Sequence, residues 1–94
     1  MSCYLIVTAK ITDLDGLAKY SKAVGPSLAG INFKVLVATN DATPLEGDAG
    51  TRAVVMEFPD RAEAERWYHS PAYQEVIGLR LAATEGVAVF AEGL

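Results

Sequence analysis

The strand-like segments of this chain are apolar on both faces, while its helical segments suffice to cover only one. Residues 4–11 read YLIVTAKI. Leu5, Val7, Ala9 and Ile11 form one apolar face, and Tyr4, Ile6, Thr8 and Lys10 form an amphipathic second face, the two-residue period of a strand. Residues 31–39, INFKVLVAT, alternate in the same way, with Ile31, Phe33, Val35, Val37 and Thr39 against Asn32, Lys34, Leu36 and Ala38. Residues 51–58 (TRAVVMEF) give a third strand. Residues 86–92 (GVAVFAE) give the last, with Val87, Val89 and Ala91 opposite Ala88 and Phe90.

Between these strands the period changes to that of a helix. Thr12-Asp13 offers an N-cap, because a short oxygen-bearing side chain accepts the unpaired N–H groups of a first turn. Leu14, Leu17, Ala18, Ser21 and Val24 follow at helical spacing, with Tyr20 beside them. Gly25-Pro26 is expected to stop or kink that helix, with one more turn through Ser27 and Leu28 before Gly30 ends it. Residues 40–50, NDATPLEGDAG, concentrate turn-forming types and predict a long connection with a short edge strand at 43–45. Asp60 caps the next helix, with Glu63 placed as in a capping box, and Ser70-Pro71 restarts the chain in a further helix carrying Tyr73, Val76, Ile77 and Leu81 inward.

The order β-α-β-(β)-β-α-α-β is the split βαβ, ferredoxin-like plan, an α+β fold with an antiparallel sheet and helices on one face. The uncovered face, expected to carry Tyr4, Ile6, Leu36 and Ala38, is too apolar to be left to water. A second copy packed sheet against sheet is expected, giving a dimeric α+β barrel, with higher oligomers open. Composition supports this: 51% of the 94 residues are hydrophobic and only 21% charged, in a single domain spanning residues 1–94. The formal charge of −4 and the lack of any basic run argue against nucleic acid and anionic membrane as partners. Apolar runs fall far short of the ~20 residues of a membrane span. With a single cysteine, Cys3, and no signal-like start, a cytoplasmic protein is expected.

The stretch MEFPDRAEAERWYHSPAYQ followed by RLAATEGVAVFAEG resembles the small bacterial family catalogued as domain of unknown function 1330. The resemblance rests on Glu57-Phe58-Pro59, Trp67-Tyr68, Ser70-Pro71-Ala72-Tyr73-Gln74 and Arg80, and extends upstream to Tyr20, Leu45-Glu46-Gly47-Asp48 and Arg52. It implies the dimeric α+β-barrel fold and no established reaction. The family's usual Gly-Gly pair and basic or glycine-rich end of the second strand are replaced here by Gly30-Ile31 and Ala38-Thr39-Asn40.

Candidate chemistry is sparse. Glu57, facing a barrel interior, would have a raised pKa and serve in proton transfer; the alternative is a strand-end ion pair with Arg52, Lys10 or Lys34. Arg52 or Arg80 would orient an anion, and Tyr20 or Tyr73 would supply hydrogen bonds. Strand parity puts Arg52 and Glu57 on opposite faces. His69, the only histidine, reads more simply as a solvated residue at a helix C-terminus than as a base. Trp67, Tyr68 and Tyr73 read as core, and Arg61, Glu63, Glu65 and Arg66 as a solvated helix face. Asp41, Glu46 and Asp48 lack calcium-loop spacing, and one histidine with one cysteine makes no transition-metal site, so no metal is expected. Neither a dinucleotide nor a P-loop motif is present and nothing basic adjoins Cys3, so no cofactor is expected.

The expected function is that of a homodimer binding a small organic molecule in a pocket between sheet and helices. One alternative is a non-catalytic assembly or sensor module whose sheet face serves dimerisation. A further one, implied by similar folds, is a cofactor-independent monooxygenase or isomerase.

Overall fold

The computed structural model describes residues 1–94. Its elements run β1 (Cys3–Ile11), α1 (Leu14–Ser27), β2 (Lys34–Thr39), β3 (Arg52–Phe58), α2 (Arg61–Tyr68), α3 (Pro71–Gln74), α4 (Ile77–Ala83) and β4 (Thr84–Glu92). The four strands form one antiparallel sheet in the order β2-β3-β1-β4. β1, the most regularly alternating segment, lies inside the sheet between β3 and β4, with Leu5 opposite both Met56 and Phe90.

Alternation divides the strands between two environments. Cys3, Leu5, Val7 and Ala9 are buried beneath the helices together with Met56 and Phe58. Leu17 and Tyr20 from α1, Ala64 and Trp67 from α2, Tyr73 from α3 and Ala83 from α4 close the core from above. Trp67 stacks on Phe58 at 5.8 Å between centroids, and its indole N–H donates to Ser27 Oγ at 3.0 Å, which satisfies the one polar atom it carries inward. On the other face Tyr4, Ile6 and Thr8 line up with Glu57, Val55 and Ala53 of β3 and with Ala91, Val89 and Val87 of β4. No element covers that face.

The helix starts follow the sequence. Asp13 accepts from the Gly16 N–H at 3.0 Å, Asp60 from Glu63 N–H at 2.8 Å and Ser70 from Tyr73 N–H at 3.1 Å. Several details differ. The helix expected from Ser70-Pro71 onward divides into α3 and α4, and Leu81, expected inward, is exposed. α1 runs on through Gly25 and Pro26 to Ser27, its last turn closed by Leu28 N–H on the Gly25 carbonyl. Residues 43–45 form no strand; the connection is held by a single backbone bond from Ala42 N–H to the Thr51 carbonyl. Glu63 does not reach back to its own cap. Its carboxylate accepts from Arg66 Nε at 2.8 Å and from Asn32 N–H at 2.9 Å, while Arg66 also donates to the Gly30 carbonyl. This clamp ties α2 to the α1–β2 connection, and the two hydrogen bonds, Arg66 first, draw the Glu63 carboxyl down to about 2.

The second strand departs most from simple alternation. It begins at Lys34, and a β-bulge between Val35 and Val37 shifts its register. Val37 therefore stands opposite Val55 on the uncovered face, and Ala38 opposite Val54 on the helix side. Ala38, expected on the bare face, instead faces the helices because the extra residue inverts parity beyond the bulge.

Candidate functional site

The helices do not sit flush on the sheet. A cavity of about 270 Å³ remains between the layers, 15 of its 19 lining residues being hydrophobic. Leu5, Val7 and Ala9 of β1 supply its floor, with Val54 and Met56 of β3. Its two arginines and the tyrosines that meet them arrive from four different elements. Tyr20 lies one turn beyond Leu17 on the inward stripe of α1, and Tyr73 is fixed inward by the Ser70 cap that starts α3. Arg80 extends from the last turn of α4, and Arg52 opens β3. The entry to β3 is set by Gly50, whose φ of 76° and close backbone approach to Ala9 and Lys10 leave no room for a Cβ.

The two phenols meet. Tyr20 Oη and Tyr73 Oη are 2.9 Å apart and buried, and Arg80 Nε donates a long hydrogen bond of 3.4 Å to Tyr73 Oη. Arg52 is held from outside by Asn40, whose side-chain oxygen accepts from Nη1 at 2.9 Å. Burial, then the adjoining Tyr73, pushes the Tyr20 phenol well above its ordinary value, against the opposing pull of the Arg80 and Arg52 charges. Tyr20 is thus a proton donor at any ordinary pH, not a base. Either hydroxyl can donate in the Tyr20–Tyr73 bond, and whichever does, one phenol proton of the pair is left free for a ligand oxygen. Among the lining residues there is no carboxylate and no imidazole.

Tyr20, Arg52, Tyr73 and Arg80, expected from the sequence as ligand contacts, are brought to one cavity. Glu57 is not. It lies on the uncovered face, where it accepts from the Tyr4 hydroxyl at 3.1 Å. Hydrogen bonds from Ser2 and Tyr4 hold its carboxyl below the ordinary range, the opposite of the raised value expected of a desolvated proton-transfer group. His69 caps α2 beside Tyr68, outside this cavity. Cys3 is fully buried and burial pushes its thiol up, so it is a packing residue rather than a nucleophile. Trp67 and Tyr73 belong both to the core and to the cavity wall. Asn40, which holds Arg52, is marked in the sequence only as part of the strand end that departs from the family, and as a turn residue it gives no sign of that contact.

The family model described as domain of unknown function (DUF1330) matches residues 2–94. The chain belongs to the DUF1330 family. The cavity residues Tyr20, Arg52, Tyr73 and Arg80 therefore all fall inside the DUF1330 match. No curated protein matches the chain in sequence. Among solved structures, it is similar to a protein of unknown function from Rhodopseudomonas palustris, at 17% identity and a TM-score of 0.79 over 99% of this chain and 82% of that one. A dimeric ferredoxin-like protein of unknown function from Jannaschia sp. CCS1 gives 16% identity and 0.69 over 99% and 100%. SnoaB, a cofactor-independent oxygenase from Streptomyces nogalater, gives 7% identity and 0.64 over 99% and 93%. At these identities the shared property is the fold, and this DUF1330 chain is ferredoxin-like. No helix is long and apolar enough to cross a membrane.

Proposed function

We propose that this protein is a homodimer that binds a small organic molecule in the cavity between sheet and helices, with Tyr20, Arg52, Tyr73 and Arg80 as polar contacts. The observation that carries the reading is the convergence of two phenols and two guanidinium groups in one largely apolar cavity. Apolar walls with a few directed polar groups are what small-molecule sites require. Dimerisation is supported by the uncovered apolar sheet face and by the dimeric state of the similar Jannaschia protein. Glu57 is assigned to that face, so a proton-transfer role for it would act between copies rather than in the cavity. A cytoplasmic setting accords with a lone buried thiol.

The second reading is a non-catalytic assembly module, favoured by the same uncovered face. A cofactor-independent oxygenase or isomerase draws on the likeness to SnoaB, but the cavity lining offers no base to start such chemistry. A crystal structure of the protein as purified tests the choice. Two sheets packed face to face, with density against the Tyr20–Tyr73 pair, are expected. A dry dimer over a collapsed cavity would favour the assembly module, and a monomer would remove the dimer from both readings.

A further inference from the structure

Resting on the cavity as the binding site, we infer that its ligand is an apolar monocarboxylate, an aromatic or aliphatic acid whose carboxylate lies against Arg52, Arg80 and the Tyr20 hydroxyl and whose body fills the apolar remainder. The four arginines of the chain divide cleanly. Arg61 pairs with Glu65 and Arg66 with Glu63, both outside the cavity on α2. Arg52 and Arg80, the two that reach the cavity, have no acidic partner at all; their protein contacts are the neutral oxygens of Asn40 and Tyr73. This occurs in a chain with 12 acidic residues against 8 basic ones, so a partner was not lacking in composition. Placing guanidinium groups at an apolar, acid-free wall without counter-charge is unfavourable until an anion enters. A carboxylate supplies that charge and matches the flat donor fork of arginine.

The polar groups also agree in sign. Arg80 donates to Tyr73, the Tyr20 and Tyr73 hydroxyls share one hydrogen bond in which either can donate, and in both arrangements one phenol proton stays free. The two guanidinium groups and the tyrosine pair thus offer protons, and a carboxylate oxygen takes protons without offering one. Most of the remaining lining, from residues such as Leu17, Val24, Leu28, Val54 and Met56, is apolar, and the Ser21 and Thr84 hydroxyls give their protons to the Leu17 and Arg80 carbonyls. At about 270 Å³ the space lies just below the ~300–1,000 Å³ of drug-sized sites, which suits a small acid with one charged end.

The test uses the unaltered protein and pairs of probes that differ only in charge. Benzoate, phenylacetate, hexanoate and octanoate are each titrated beside their primary amides, with the fluorescence of Trp67, the only tryptophan and part of the cavity wall, as readout. At least one acid is expected to bind ten-fold or more tightly than its amide. Arg80→Met and Arg52→Met should each bring that ratio close to one, the acid losing more affinity than its amide. Equal binding of acids and amides would overturn the carboxylate assignment and leave the binding cavity standing. Tighter binding of phenyl phosphate than of any acid would overturn it in favour of a phosphate head. Failure of every acid and every amide to bind would overturn the cavity reading itself. Should either arginine variant not fold, the acid-to-amide ratio in the unaltered protein still decides.

Discussion

The space under the helices and the uncovered face of the sheet are built from the same alternating strands, yet they treat charge in opposite ways. Under the helices the charged groups are two arginines without acids. On the bare face acids and bases stand opposite one another, Lys34 across from Glu57 and Lys10 across from Glu85, with Lys10 also paired to Asp48. Each region even has its tyrosine hydroxyl contact: Tyr20 with Tyr73 in the first, Tyr4 with Glu57 in the second. Balanced charges around an apolar band of Ile6, Val37, Val55 and Val89 suit contact with a second protein surface. A one-signed cluster at the wall of an apolar cavity suits something small and oppositely charged. One strand period thus serves two kinds of contact, and the charges distinguish them.

The strongest way to break this comparison is to empty the covered side. Trp67→Ala removes an indole that is 1% exposed, stacked on Phe58 and tilted against Tyr73 at 4.1 Å. Loss of its buried area and the void left behind are expected to cost about 3–5 kcal/mol in urea unfolding. A loss under about 1 kcal/mol would mean that the layers close up and that the cavity is not a fixed feature. The counterpart on the bare face is Ile6→Asp, which should cost an isolated chain about 1 kcal/mol, since Ile6 lies between Val55 and Val89 in a central strand. In a sheet-to-sheet dimer it places a charge at the centre of the interface in both copies, and sedimentation should show dimerisation weakened by at least about 30-fold, on the order of 2 kcal/mol. An unchanged dimer would place the interface elsewhere.

The two tyrosine contacts sharpen the contrast at a smaller scale. Tyr73→Phe strands the buried Tyr20 hydroxyl and deprives Arg80 Nε of its acceptor, so a loss of about 1–2 kcal/mol is expected. Tyr4→Phe, on the half-exposed face where water replaces the lost partner, should cost less than about 0.5 kcal/mol. Chemical denaturation of both variants side by side checks the difference. Similar costs for the two would show that the faces are equally dry.

How much of this was legible beforehand follows from which features are local. The order of elements along the chain, the helix starts and the opposite facing of Arg52 and Glu57 depend on period two and on caps at Asp13, Asp60 and Ser70, all of which are written in a few adjacent residues. The inversion of Ala38 was not legible, because the bulge between Val35 and Val37 falls in an unbroken apolar run with no glycine to mark it. α1 passes Gly25-Pro26 and takes the one further turn the sequence allows, to Ser27, although Pro26 has no N–H for the carbonyl four residues back. The clamp of Glu63 and Arg66 on Asn32 and Gly30 joins positions more than 30 residues apart and looks, in sequence, like any charged helix face. The cavity residues could be named by type and by family resemblance. Their meeting in one space, and the pairing of two arginines with no acid, needed the packing of four elements around it.

The smallest effect bears on the face that the fold leaves open. In a single chain Glu57 is held below its ordinary pKa by the hydroxyls of Ser2 and Tyr4. A depressed carboxyl pKa stabilises the folded state above the unfolded value, near the ordinary 4.5, and that contribution disappears as pH falls through the lower folded value. NMR titration of a dilute sample should therefore find Glu57 below 4.5, and Tyr4→Phe should move it upward by removing one of the two donors. Covering the face by a second copy acts in the opposite direction, because desolvation disfavours the charged carboxylate. Raising the protein concentration through the dimer transition should then carry the Glu57 titration upward. A Glu57 pKa that stays fixed while the dimer forms would show that this carboxylate remains in water, and the interface would have to lie away from the Tyr4–Glu57 end of the sheet.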